Sequence, residues 1–133
     1  MHALTLDALS GGRVILLESF DADAVIGEVD GGREVLNRVL DAGRVGAAAE
    51  GVGVARGAMD MTVDYLKQRK QFGRLIGEFQ ALQHRAAHLY GEIEIARAAT
   101  LKAARLIDEA SPHCSLMVAV AKAKAGKAAR LAV

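Results

Sequence analysis

"ALQHRAAHLYGEIEIARAATLKAARLID", residues 81–108, carries the pattern that decides the architecture. Leu82, Ala86, Leu89, Ile93, Ala96, Thr100, Ala103 and Ile107 follow one another at intervals of 4, 3, 4, 3, 4, 3 and 4. In an α-helix, residues three and four apart share a face, so this spacing lines small and apolar side chains along one seam that packs against other helices. His84 and His88 stand at i and i+4, a spacing that suits a metal, but both lie off the seam. They read as exposed or hydrogen-bonded histidines.

Downstream, "DEASPHCS" (108–115) ends this helix and begins another, with Ser111 expected as N-cap and Pro112 at the first helical position. A third helix is expected from there on. Within it, Gly126-Lys127 hints at a phosphate loop, but Ala121 stands where that loop needs glycine and Ala128 where it needs Ser or Thr. The helical pattern reaches Val133 with no terminating glycine or proline, as in a truncated piece.

Upstream lies "RKQFGRLIGEFQ" (69–80), a polar, glycine-bearing turn between two long helical stretches. Arg69 offers a fork of donors suited to phosphate, Gln71 an amide, and Phe72 a flat face on which a ring can rest. Gly73 and Gly77 allow a tight bend. Gln80 sits at the start of the next helix, whose positive end favours anions. Two readings stay open on spacing alone. One is a half-site for a phosphate-bearing aromatic cofactor; the other is a hairpin whose Phe72, Ile76 and Phe79 plug the end of a bundle.

From about Arg33 to Gln68 there is no proline, and Val35, Leu36, Val39, Leu40, Val52, Met59, Val63 and Leu66 recur at helical intervals. The implied helix is roughly 50 Å long. Its middle holds Gly43, Gly46, Gly51, Gly53 and Gly57, each costing up to about 1 kcal/mol relative to alanine. Close packing of a backbone or a ligand on that face would compensate. A dinucleotide loop is excluded, since no strand precedes these glycines and their spacing is wrong. By contrast, the first thirty residues mix β-branched residues with Gly and Asp, which suits short strands and turns.

The chain has 133 residues, 52% of them hydrophobic, enough for one domain with a core. Its formal charge is +1, so no global field draws it to nucleic acid or membrane. Acids are concentrated in residues 1–30, whereas the end of the chain carries Lys122, Lys124, Lys127 and Arg130, read as a solvated helix face. Charges interrupt every apolar run before membrane-spanning length, and no signal segment is visible. We read the chain as soluble and cytoplasmic. The single Cys114 has no partner for a disulfide or a metal pair.

The run from Gly43 to Asp108, and "YLKQRKQFGRLIGEFQALQ" within it most specifically, resembles the C-terminal helical domain of the acyl-CoA dehydrogenases. The resemblance spans roughly residues 15–133, with "AKAKAG" (121–126) fitting the family's next helix. It implies an all-α, up-and-down bundle, three long helices of a four-helix type, over residues 32–133, incomplete at its C-terminus. Residues 1–31 would be a remnant of the middle β-domain and its linker.

Family membership implies FAD held between subunits of a homotetramer, an acyl-CoA substrate, and an acceptor such as an electron-transferring flavoprotein. By position, Arg69 would contact the flavin pyrophosphate, Gln71 and Phe72 its adenosine side, and Gln80 would add a polar contact. Asp41 and Arg44 match positions that help bind the CoA end of the substrate. The family's reaction takes a proton from the carbon alpha to the thioester while a hydride leaves the beta carbon for the flavin, giving a 2-enoyl-CoA. It needs a carboxylate base. In some members the base precedes the arginine, where this chain has Gly43; in most it lies on a later helix with no counterpart here. Glu50 is a poor substitute, so the chain alone is expected to be inactive. Related flavoproteins, such as acyl-CoA oxidases or DNA-alkylation-response proteins, and a non-catalytic helical assembly module are the alternatives.

Overall fold

The computed structural model describes residues 31–133 throughout, with Gly27, Glu28 and the backbone of residues 3–5 and 13–15. Two strands come first, β1 (Ala3–Thr5) and β2 (Arg13–Ile15), paired antiparallel with Leu4 opposite Val14. They belong to a compact unit of residues 1–35, and the second unit comprises residues 36–133. Most of residues 1–31, read as the β-domain remnant and its linker, lie outside the described residues. The helices are α1 (Gly32–Gln68), α2 (Gln80–Asp108) and α3 (Cys114–Ala132). A minimal hairpin, β3 (Lys70–Gln71) and β4 (Arg74–Leu75), followed by a 3-10 turn at Ile76–Glu78, joins α1 to α2. The all-α expectation holds.

α1 needs no interruption because it lacks proline and carries Glu34 in its first turn and Lys67 in its last, each matching the helix dipole. It buries Asp41, Ala48, Val52, Ala55 and Met59. The seam of α2 buries Ile93, Ala96, Thr100 and Ala103, with Ala99 and Leu106 beside them. Its outer members Leu82, Ala86, Leu89 and Ile107 are half-buried. Thr100 disposes of its hydroxyl by donating to the Ala96 carbonyl at 2.8 Å. α3 contributes Val118, Ala121, Ala125 and Ala128.

Among the described residues, eight of the thirteen buried apolar residues are alanines, so the helices approach closely and little side-chain bulk separates them. Two contacts fix α1 against α3. The Ser115 hydroxyl donates to Asp41 at 2.6 Å, and a Cβ on Gly51 would lie 3.6 Å from that of Ala125. Both pairs are 74 residues apart, so the two helices run parallel and in register. α2 runs against both: Arg56 on α1 meets Glu94 at 3.6 Å, and Lys127 on α3 meets Glu92 at 2.8 Å. This is an up-down-up arrangement. A groove of about 490 Å³, floored by Leu66, Leu82, Leu89 and Leu131 with Arg85 and Arg130 beside them, remains at the hairpin end.

Three expectations need correction. Leu36, Val39 and Leu40 are exposed rather than part of the core, because α1 has apolar residues on two opposite faces and only one meets α2 and α3. Gly51 alone of the five glycines in the middle of α1 packs against another helix; Gly43, Gly46, Gly53 and Gly57 face open space. Finally, α3 begins at Cys114 instead of Pro112. Ser111 accepts from the His113 N–H at 3.3 Å within a turn that precedes the helix.

Candidate functional site

The hairpin is stabilised from within. Ile76 N–H donates to the Arg69 carbonyl at 2.9 Å, and the Gln83 side chain donates to the Gly77 carbonyl at 2.8 Å. The guanidinium of Arg74 lies 4.1 Å from the centre of the Phe79 ring, a cation–π contact. At the tip, Phe72 and Gly73 both have positive φ, 54° and 79°. A two-residue loop with this sign at both positions matches the right-handed twist of its strands, and is ordinarily built from Asn-Gly or Gly-Gly.

Phe72 is therefore out of place twice over. It takes a backbone conformation that penalises a Cβ, and it buries almost nothing, being 90% exposed. Its edge-to-face contact with Phe79, at 6.2 Å, is its aromatic partner among the described residues. The bundle-plug reading fails for Phe72, since only Ile76 and Phe79 turn inward. Arg69, Gln71 and Gln80 are exposed on the same short segment, and none forms an ion pair or side-chain hydrogen bond among the described residues. α2 starts after Phe79 with no side-chain cap. A ring face, a free guanidinium and an uncapped helix start fit one end of a phosphate-bearing aromatic cofactor such as FAD.

Asp41 and Arg44 occupy the other end of α1, so the structure separates the six predicted residues into two sites. Asp41 is 6% exposed. Its Oδ1 accepts from Arg44 at 2.9 Å and its Oδ2 from Ser115. Arg44 is half exposed. Burial, then the neighbouring Asp41 charge, pushes the Cys114 thiol up, which makes it a poor nucleophile. Ser115 was invisible in the sequence, because its partner lies 74 residues away and no local motif connects them.

The side of α1 opposite the core includes Gly43, Gly46, Gly53 and Gly57 with Val54 and Met61, all exposed. Glu50 is exposed on this side too. His88 faces Glu92 at 3.8 Å, and no group of three metal-ligating side chains occurs among the described residues. The hydrogen bond from Lys127 holds the Glu92 carboxyl below its usual range. No helix is long and apolar enough to cross a membrane among the described residues.

The model of the acyl-CoA dehydrogenase C-terminal domain matches residues 30–133. The chain is 44% identical over 88 residues to the short/branched chain specific acyl-CoA dehydrogenase of Bos taurus, covering 66% of this chain and 20% of that protein. It is 41% identical over 83 residues to a caffeyl-CoA reductase–Etf complex subunit of Acetobacterium woodii, covering 62% of this chain and 22% of the relative. Among solved structures, a glutaryl-coenzyme A dehydrogenase in complex with glutaryl-CoA superposes with a TM-score of 0.77 at 35% identity, covering 84% of this chain and 28% of the other. The chain thus spans about a fifth to a quarter of the length of these curated relatives. With residues 30–133 matched to the helical domain and the polar hairpin in place between the first two helices, this chain belongs to the acyl-CoA dehydrogenase family.

Proposed function

We propose that this chain is the part of an FAD-dependent acyl-CoA dehydrogenase that supplies one wall of the thioester site and one end of the flavin site. Residues 32–133 form the helical domain and residues 1–31 a remnant of the preceding β-domain. The whole enzyme, a homotetramer, converts an acyl-CoA to its 2-enoyl-CoA and passes electrons to an electron-transferring flavoprotein. The observation that carries this reading is Phe72. A large aromatic ring held at positive φ in solvent costs stability on both counts, and such strain marks a residue kept for what it binds.

In this reading Phe72 offers its face to the adenosine side of FAD. Arg69 meets the pyrophosphate, and Gln71 and Gln80 add polar contacts. FAD supplies the two-electron acceptor. Arg44, beside Asp41, binds the CoA end of the substrate. Gly46, Gly53 and Gly57 lie on the side of α1 facing away from Arg44, and their open spaces leave the helix backbone there accessible to a packing partner or to another part of the substrate. Gly43 can take no proton, and exposed Glu50 lacks the desolvation a base requires. The base therefore comes from outside the described residues, and the chain alone is inactive.

A chimera tests this directly. Residues 32–133 replace the matched segment of the bovine relative, and retained flavin and acyl-CoA-dependent dye reduction are measured. We expect both to survive, and Arg69→Ala to weaken flavin retention about tenfold or more. A chimera without flavin, indifference to loss of both Arg69 and Phe72, or robust turnover by the isolated chain would overturn the reading. A second reading, a non-catalytic assembly module, is favoured by the exposed Leu36, Val39 and Leu40. A strictly monomeric chain in light scattering would count against it.

A further inference from the structure

We propose that Ser115, on α3, is a positioning residue for Arg44, acting through the buried carboxylate of Asp41. The inference rests on the reading of Arg44 as the group that binds the CoA end of the substrate. Three side chains form one chain of hydrogen bonds. Ser115 Oγ donates to Asp41 Oδ2 at 2.6 Å, and Arg44 donates to Asp41 Oδ1 at 2.9 Å. Asp41 is buried, so its orientation is set by these two partners and by the packing of α1 on α3. Arg44 is half exposed, and without its bond to Asp41 it would sample many rotamers.

Geometry assigns the roles. A carboxylate with one oxygen bonded from its own helix can still rotate about its terminal torsion, which is broad. A second bond from another helix removes that rotation and fixes where Oδ1 points, and hence where the guanidinium is held. Ser115 thus couples the α1–α3 contact to the substrate end of α1. Ser115 is exposed and helical, so its replacement by alanine creates no core cavity and suits the helix.

The experiment uses the isotopically labelled 133-residue chain, with coenzyme A as the probe. Two signals are followed by NMR: the order of the Arg44 Nε–H without ligand, and the affinity for coenzyme A. We expect Ser115→Ala to mobilise Arg44 and weaken coenzyme A binding roughly threefold to tenfold, and Ser115→Thr, which keeps the hydroxyl, to restore both. An Arg44 signal and affinity unchanged in Ser115→Ala would overturn the positioning role. If Arg44 loosens in Ser115→Ala while the affinity for coenzyme A is unchanged, the substrate reading of Arg44 fails, and Ser115 is reduced to a clamp between helices. If Ser115→Ala weakens binding with Arg44 order intact, the route through Asp41 is wrong.

Discussion

A Cβ on Gly77 would lie 2.8 Å from the carbonyl oxygen of Leu66. The obstacle is backbone in the last turns of α1, so it cannot swing aside as a side chain would. Gly77 is the position that lets the chain leave β4 and press back against the helix it came from. Gly77→Ala is expected to destabilise the domain by about 1–3 kcal/mol, the usual cost of overpacking. Urea unfolding followed by circular dichroism checks it, with an unchanged midpoint as the contrary result.

At the hairpin tip, stability and recognition should move in opposite directions. Phe72→Asn places the favoured Asn-Gly pair in the turn and relieves a strained residue, so the melting temperature is expected to hold or rise. The same substitution removes the exposed ring, and flavin retention in the chimera is expected to fall. A variant that loses stability and flavin together would show that Phe72 acts structurally.

Ala110 offers a test free of function. α2 closes with the Ser111 N–H bonded to the Leu106 carbonyl at 3.0 Å and the Ala110 N–H to the Ile107 carbonyl at 3.1 Å, a Schellman motif with alanine in the left-handed position at φ 48°. Glycine belongs there. Ala110→Gly is expected to stabilise the chain by about 1 kcal/mol. Thermal melts of the two proteins decide it.

Glu92 ties α2 to α3 through Lys127, and its second oxygen is buried without a hydrogen-bond partner. Its carboxyl titrates below the ordinary glutamate value of 4.5 in the folded chain. The unfolded state therefore binds the proton more tightly. The contribution is fully present above that ordinary value and is lost as pH falls through the lower folded one. Acid unfolding of Glu92→Gln should show a shallower dependence on pH across this window than the parent chain.

Gly53 and Gly57 have open space where a Cβ would stand. Alanine at either site is expected to stabilise α1 by up to about 1 kcal/mol through helix propensity. If the acyl chain lies on this side, the doubly substituted chimera should gain thermal stability while its KM for acyl-CoA rises. An unchanged KM would move the substrate to another surface.

The seam of α2 was legible because helical periodicity is local: Ile93, Ala96, Thr100 and Ala103 announce their common face by spacing alone. Leu36, Val39 and Leu40 follow the same rule, yet periodicity says only that a face is apolar and leaves open what covers it. Residues 41 and 115 could not be paired from sequence, since a contact across 74 residues depends on how three helices pack. The start of α3 shifted for a related reason. No glycine marks the reversal at Ala110, so the turn that precedes α3 was hidden. For the hairpin, the residue types pointed to a ligand or a plug, and the exposure of Phe72 takes that residue out of the plug while Ile76 and Phe79 stay turned inward.

The bonds that shape the hairpin lie within residues 69–83, while the alanine contacts that hold the helices together lie beyond it. What the tip touches can therefore change without disturbing what it stands on. A lineage that keeps Gly77 and the Gln83 bond is free to exchange the tip residues one at a time. Substitutions at the tip are thus expected to leave the bundle as it is.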